Sequence, residues 1–113
     1  MSAGTYNFTI EQGTTFSRVL TLQENSSAMN LTGYSVASQM RSTHDSSTVV
    51  ATFTGSVTNA SSGQITLSLT NSQTSAIEEA IYVYDVEITS GAGAVTRILE
   101  GNITVTPEVT LLP

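Results

Sequence analysis

The chain has no cysteine and no lysine, and its only prolines are Pro107 and Pro113. Without cysteine there is no disulfide scaffold, no thiol nucleophile and no Cys-ligated metal site. Without lysine the cationic side chains are Arg18, Arg41 and Arg97, widely spaced and opposed by nine acids, for a net charge of −6. Such a surface repels phosphate, so neither nucleic acid nor an anionic membrane is an expected partner. Long apolar runs are also missing, and nothing approaches the roughly 20 residues that span a bilayer. The opening Met1-Ser2-Ala3-Gly4-Thr5 is neither basic nor apolar, so no secretory signal is expected there.

What fills these gaps is Ser and Thr, about a third of the residues, set among 39% apolar ones. The apolar residues come in patterned runs, so the chain is expected to fold. Its 113 residues make a single domain, 1–113. Folding at this size hides roughly 65% of the unfolded surface.

Alternation with period two recurs along the chain, and helical periodicity is nearly absent. Tyr6, Phe8 and Ile10 share one face, as do Phe16, Leu20 and Leu22, with Arg18 interrupting them. Tyr34, Val36, Ser38 and Met40 alternate with Ser35, Ala37, Gln39 and Arg41. Residues 48–57 form a β-branched run, and 59–63 read as a hairpin connection. Ile65, Leu67 and Leu69 point inward, as do Tyr82, Tyr84, Val86 and Ile88. Val95, Leu99, Ile103 and Val105 follow on the last long strand, which Pro107 ends. One short helical turn is expected near residues 72–79, capped by Asn71 or Ser72. The expectation is an all-β, Ig-like antiparallel two-sheet sandwich of about seven strands. Its core would hold Tyr34, Val36, Ile65, Leu67, Leu69, Tyr84, Val86 and Leu99.

The last hairpin poses a choice of register. A four-residue loop at 90–93 pairs Val86 with Arg97, whereas a shift of one residue pairs Glu87 with Arg97. The shift would turn Leu99 and Ile103 off the tyrosine face, and core burial outweighs one exposed ion pair. The four-residue loop is therefore expected, with Arg97 snorkelling past the sheet rim.

No constellation for chemistry emerges. His44 stands alone beside Asp45, with no Gly-x-Ser-x-Gly nucleophile in the chain, and reads as an exposed loop histidine. Asp85 and Glu87 share a strand face and Glu78 and Glu79 are neighbours, but both pairs read as solvated surface. No catalytic residue, metal ligand or cofactor site is expected. Gly91 and Gly93 mark a hairpin turn, lacking the third glycine of a dinucleotide loop. Tyr34, Tyr82 and Tyr84 would suit a sugar-stacking platform, though tyrosines at strand spacing are more often packing.

The segment Phe8-Thr9-Ile10-Glu11-Gln12-Gly13-Thr14-Thr15-Phe16, followed by Leu31-Thr32-Gly33-Tyr34, resembles the start of small structural modules in tailed bacteriophages. Near the other end stand Tyr82-Val83-Tyr84-Asp85-Val86-Glu87-Ile88, a glycine turn, Val95-Thr96-Arg97-Ile98-Leu99-Glu100-Gly101 and Val105-Thr106-Pro107-Glu108-Val109-Thr110. These are similar to the N-terminal domain of phage baseplate upper proteins and to small virion proteins of marine and cyanobacterial phages. The resemblance implies a non-enzymatic structural part of a virion, in the tail, baseplate or fibre apparatus. Alternatives are a capsid decoration protein and a receptor- or glycan-binding module.

A virion part associates through exposed surface. Other virion proteins, and further copies of the chain, are the expected partners. Free β edges without lysine are open to strand addition. Residues 2–8 and 106–113 are the expected contact segments, with Tyr6, Phe8, Val109, Leu111 and Leu112 as candidate assembly contacts.

Overall fold

Among the described residues, alternation of aliphatic or aromatic with small polar residues gives ten strands and one helical turn. The computed structural model describes residues 4–24, 27–43 and 45–107. In chain order the elements are β1 Gly4–Thr5, β2 Phe8–Glu11, β3 Phe16–Thr21, β4 Gln23–Glu24, β5 Ser27–Ala28, β6 Ser35–Arg41, β7 Ala51–Asn59, β8 Gln64–Leu69, α1 Asn71–Ser75, β9 Ala80–Thr89 and β10 Val95–Thr106. Eight strands form one sheet in the order β1-β10-β9-β6-β7-β8-β3, with β2 also on β10. β4 and β5 make a small separate ribbon.

The domain is all-β, but the expected pair of sheets is one curled, open sheet. The reason is β7, which hydrogen-bonds to both halves. Its first residues, Ala51 to Phe53, pair with β6, and Thr54 to Asn59 pair with β8. At the crossing stands Gly55, where a Cβ would lie 2.9 Å from Val36 Cγ1. Only a residue without a side chain lets β6 and β7 approach and part there. The expected seven strands become ten because the short pieces β1, β4 and β5 are separate elements.

The curl wraps one core. Ile10, Met40, Ile65, Leu67, Val86, Ile88 and Ile103 are fully buried in it. Five of the eight expected core residues, Ile65, Leu67, Leu69, Tyr84 and Val86, are buried, while Tyr34, Val36 and Leu99 are only partly so. Leu99 gives way to Ile98 because β10 carries a bulge. Arg97 opposes Glu87, then the register slips and Leu99 opposes Val86. Neither uniform register expected from the sequence is present: the bulge gives Arg97 its acidic neighbour and still turns Ile103 and Val105 inward. Arg97 is exposed, and does not snorkel past apolar neighbours.

The helical turn is shorter than expected, and its cap is Thr70, not Asn71 or Ser72. The Thr70 hydroxyl accepts from the Gln73 N–H, and the Gln73 side chain accepts from the Thr70 N–H. This reciprocal capping box satisfies two donors at the helix start. Thr74, fully buried, donates its hydroxyl to the Thr14 carbonyl 2.7 Å away and ties the turn to the β2–β3 connection.

Leu67 faces both β3 and β7, opposite Arg18 and Gly55, and is fully buried. Leu67→Ala is expected to cost roughly 2–5 kcal/mol by denaturant melting. A variant as stable as the parent would show that the curl closes without it.

Candidate functional site

Three neighbouring strands, β6, β9 and β10, turn their polar residues to the outside. Register aligns them in rows across the sheet: Ala37, Glu87 and Arg97; Gln39, Asp85 and Glu100; Arg41, Val83 and Asn102. With Thr43, most of these line an open cleft of about 400 Å³. Three carboxylates and two guanidiniums meet there.

The cleft is held by polar contacts on its own walls. Arg41 donates to the Ser46 carbonyl at 2.8 Å and to Gln39 Oε1 at 2.9 Å, anchoring the loop after β6. Arg97 lies 3.4 Å from Asp85 and 3.6 Å from Glu100. Both pairs are well exposed, and such pairs are worth under about 1 kcal/mol each. A polar ligand can therefore exchange for them at little cost. The Asp85–Glu87 pair considered as a cation site instead has a guanidinium beside Asp85. Among the described residues no group of three His, Asp or Glu is placed to hold a metal. His44 lies outside the described residues.

The second concentration of chemistry lies where the sheet fails to close. β2 and β3 end its two halves and do not pair with each other. Aromatic side chains fill the gap: Phe8 stacks on Phe16 at 5.3 Å between ring centroids and meets Tyr84 edge-on at 5.0 Å. Arg18, on the inner face of β3, lies 5.5 Å from the centre of the Phe8 ring. Its guanidinium donates to the Tyr6 hydroxyl at 2.7 Å. No carboxylate lies within ion-pair distance of Arg18 among the described residues.

The expected contact residues thus have assigned places. Phe8 is 7% exposed and belongs to the core. Tyr6 is half-buried and holds Arg18. Val109, Leu111 and Leu112 lie outside the described residues. The tyrosine platform is not formed: Tyr82 and Tyr84 are buried, with hydroxyls donating to the Glu78 and Tyr6 carbonyls at 2.6 Å. Sequence reasoning missed the joint role of Gln39 and Arg41. Their outward phase was visible in the alternation, but their alignment with Asp85 was not.

These features define a class: an all-β domain on one curled sheet, with a polar outer cleft and an aromatic seam. No protein-family model matches the chain, and no curated protein matches it. Among solved structures the chain is similar to the Listeria monocytogenes internalin-like protein lmo2027, at 16% identity and a TM-score of 0.48. The likeness covers 92% of this chain but 28% of that protein, just over a quarter of its length. A likeness at this level says nothing of what the chain binds.

Burial pushes the Tyr84 phenol up to about 12, with Tyr6 adding to the rise and Arg18 opposing it. Burial and the nearby Glu78 also raise Tyr82. A phenol raised in the folded state stabilises the fold fully below its unfolded pKa near 10. That contribution is lost as pH climbs from about 10 toward 12. Denaturant midpoints are expected to fall over that window, less steeply in Tyr84→Phe. Equal slopes in parent and variant would show that Tyr84 does not carry the effect.

Proposed function

We propose that the chain is a non-enzymatic structural module of a tailed-phage virion, an adaptor in its tail, baseplate or fibre apparatus. The observation that carries this reading is the β9–β10 hairpin. The residues that resemble phage baseplate and small virion proteins, 82–88 and 95–101, are the paired strands of this hairpin. A structural adaptor works by association, and the open sheet supplies surfaces for it: an unpaired edge at β3 and the polar outer face of β6, β9 and β10. Other virion proteins and further copies of the chain are the partners in this reading. Decoration of the capsid would use the same surfaces. The outer cleft favours a second reading, a receptor- or glycan-binding module, because two guanidiniums and three carboxylates in one open cleft offer donors and acceptors to polyhydroxylated ligands.

Image reconstruction of intact particles tests the proposal. Density of this fold is expected at the tail, baseplate or fibre base. Its absence from the particle would overturn the reading, and saturable binding on a carbohydrate array would favour the second one.

Chemistry supplies another check. His44→Ala and Asp85→Asn are expected to leave melting temperature and incorporation into particles nearly unchanged, since neither is assigned a proton or a metal. A tightly bound metal lost with Asp85→Asn would contradict this. Deleting residues 108–113 is expected to leave the domain folded and reduce incorporation. A lower melting temperature with normal incorporation would assign the segment to internal packing.

A further inference from the structure

The edge strand β3 is bare on one side. Leu22, in register just beyond it, donates its N–H to the Gly63 carbonyl at 2.7 Å. Antiparallel pairs alternate between bonded and non-bonded, so positions 16, 18 and 20 also bond toward β8. Ser17, Val19 and Thr21 therefore turn their N–H and C=O groups outward. None of them has a backbone partner on that side among the described residues. No proline or bulge interrupts the strand, and Val19 is 52% exposed.

Beside this ladder lies Arg18. It is the one charge on the inward face of β3, half-buried, lying beside the stacked Phe8 and Phe16 rings, with no carboxylate within reach among the described residues. An inward charge on an edge strand normally discourages pairing, because a new strand would bury it unpaired. The same physics makes the edge selective. A strand with a carboxylate opposite Arg18 replaces that penalty with a charge-assisted pair. Position 18 is a non-bonded pair toward the newcomer, the geometry in which facing side chains come closest. A second copy fits poorly, since pairing β3 with β3 brings two guanidiniums into one short ladder.

We infer that the β3 edge accepts an extended segment of a partner protein that carries an acidic residue facing Arg18, flanked by apolar residues on the same face. This rests on reading the domain as an association module and names the chemistry of one partner. It does not depend on where in a particle the domain sits.

The test uses the isotope-labelled full chain and a short alternating Val/Thr peptide with a central Glu, beside its Gln counterpart. The Glu peptide is expected to slow exchange of the Ser17, Val19 and Thr21 amides and to shift the Arg18 guanidinium signal. The Gln peptide is expected to bind about tenfold more weakly. Arg18→Gln is expected to erase that preference. Val19→Pro removes an outward donor without touching the β8 ladder, and is expected to abolish binding. Should that variant fail to fold, an N-methylated Glu peptide, unable to form the ladder, must fail to bind the unaltered chain. No binding, equal binding of the two peptides, or perturbations on other strands would overturn the inference. So would protection of the β3 amides without peptide as concentration rises, which would assign the edge to a second copy. A chain absent from particles whose edge still binds the Glu peptide would sink the virion reading alone.

Discussion

A sheet that curls must either close by hydrogen bonds or be held by its side chains, and this one is held by side chains. β2 and β3 stand at the seam without a shared ladder, and Phe8 stacked on Phe16 at 5.3 Å spans the gap. Phe53 and Tyr84 pack against the same pair from the interior. Such rings contribute roughly 0.5–1.5 kcal/mol per contact beyond their buried area. Tyr6 finishes the closure from two directions: its hydroxyl accepts from Arg18, and its carbonyl accepts from Tyr84. The segment bearing Tyr6 crosses directly over Gly101, where a Cβ would collide with the Tyr6 carbonyl oxygen. The aromatic seam and that bare backbone position are therefore one constraint. Disturbing either frees the ends of the sheet.

The outer cleft is a consequence of the same curvature. Gly55 lets β7 leave β6 for β8, and the bulge between Arg97 and Leu99 adds local twist to β10. The bulge also settles a conflict between burial and charge. A ladder without it would place either Arg97 among apolar side chains or Leu99 and Ile103 on the wet face. One extra residue leaves Arg97 outside with Asp85 and Glu100, and Ile103 fully buried. A device that serves packing thus also gathers the charges of the cleft.

The sequence made legible what depends on phase within a strand. Alternation marked Ile65, Leu67 and Leu69 as inward, and Gln39 and Arg41 as outward, as the structure has them. It also fixed the general position of the helical turn. What it concealed depends on how strands meet. Two sheets and one curled sheet present the same alternation, because inward residues remain inward whether or not β7 bridges the halves. A bulge is likewise invisible where both adjacent residues, Ile98 and Leu99, are apolar. The burial of Phe8 was equally hidden, because it depends on β2 pairing with β10. Thr70 lost out to its neighbours as cap because Ser and Thr are so common here that several positions offer the same oxygen.

Charge acts on two length scales in this molecule, and the scales oppose each other. At long range a net charge of −6 repels an acidic segment. At contact, Arg18 has no carboxylate of its own among the described residues and gains from receiving one. Salt separates the two effects, since the screening length falls from about 30 Å at 0.01 M to about 10 Å at 0.1 M. The distant repulsion fades within that range, while a half-buried guanidinium pair is screened much less. For an acidic strand on the β3 edge, association should therefore quicken with moderate salt as dissociation changes little. A partner recognised only by the outer cleft behaves differently. Its contacts are exposed on both sides, so added salt weakens them directly. The sign of the salt dependence thus follows from where in the fold each charge is placed. The inward cation favours recognition that survives screening, and the outer carboxylates favour contacts that do not.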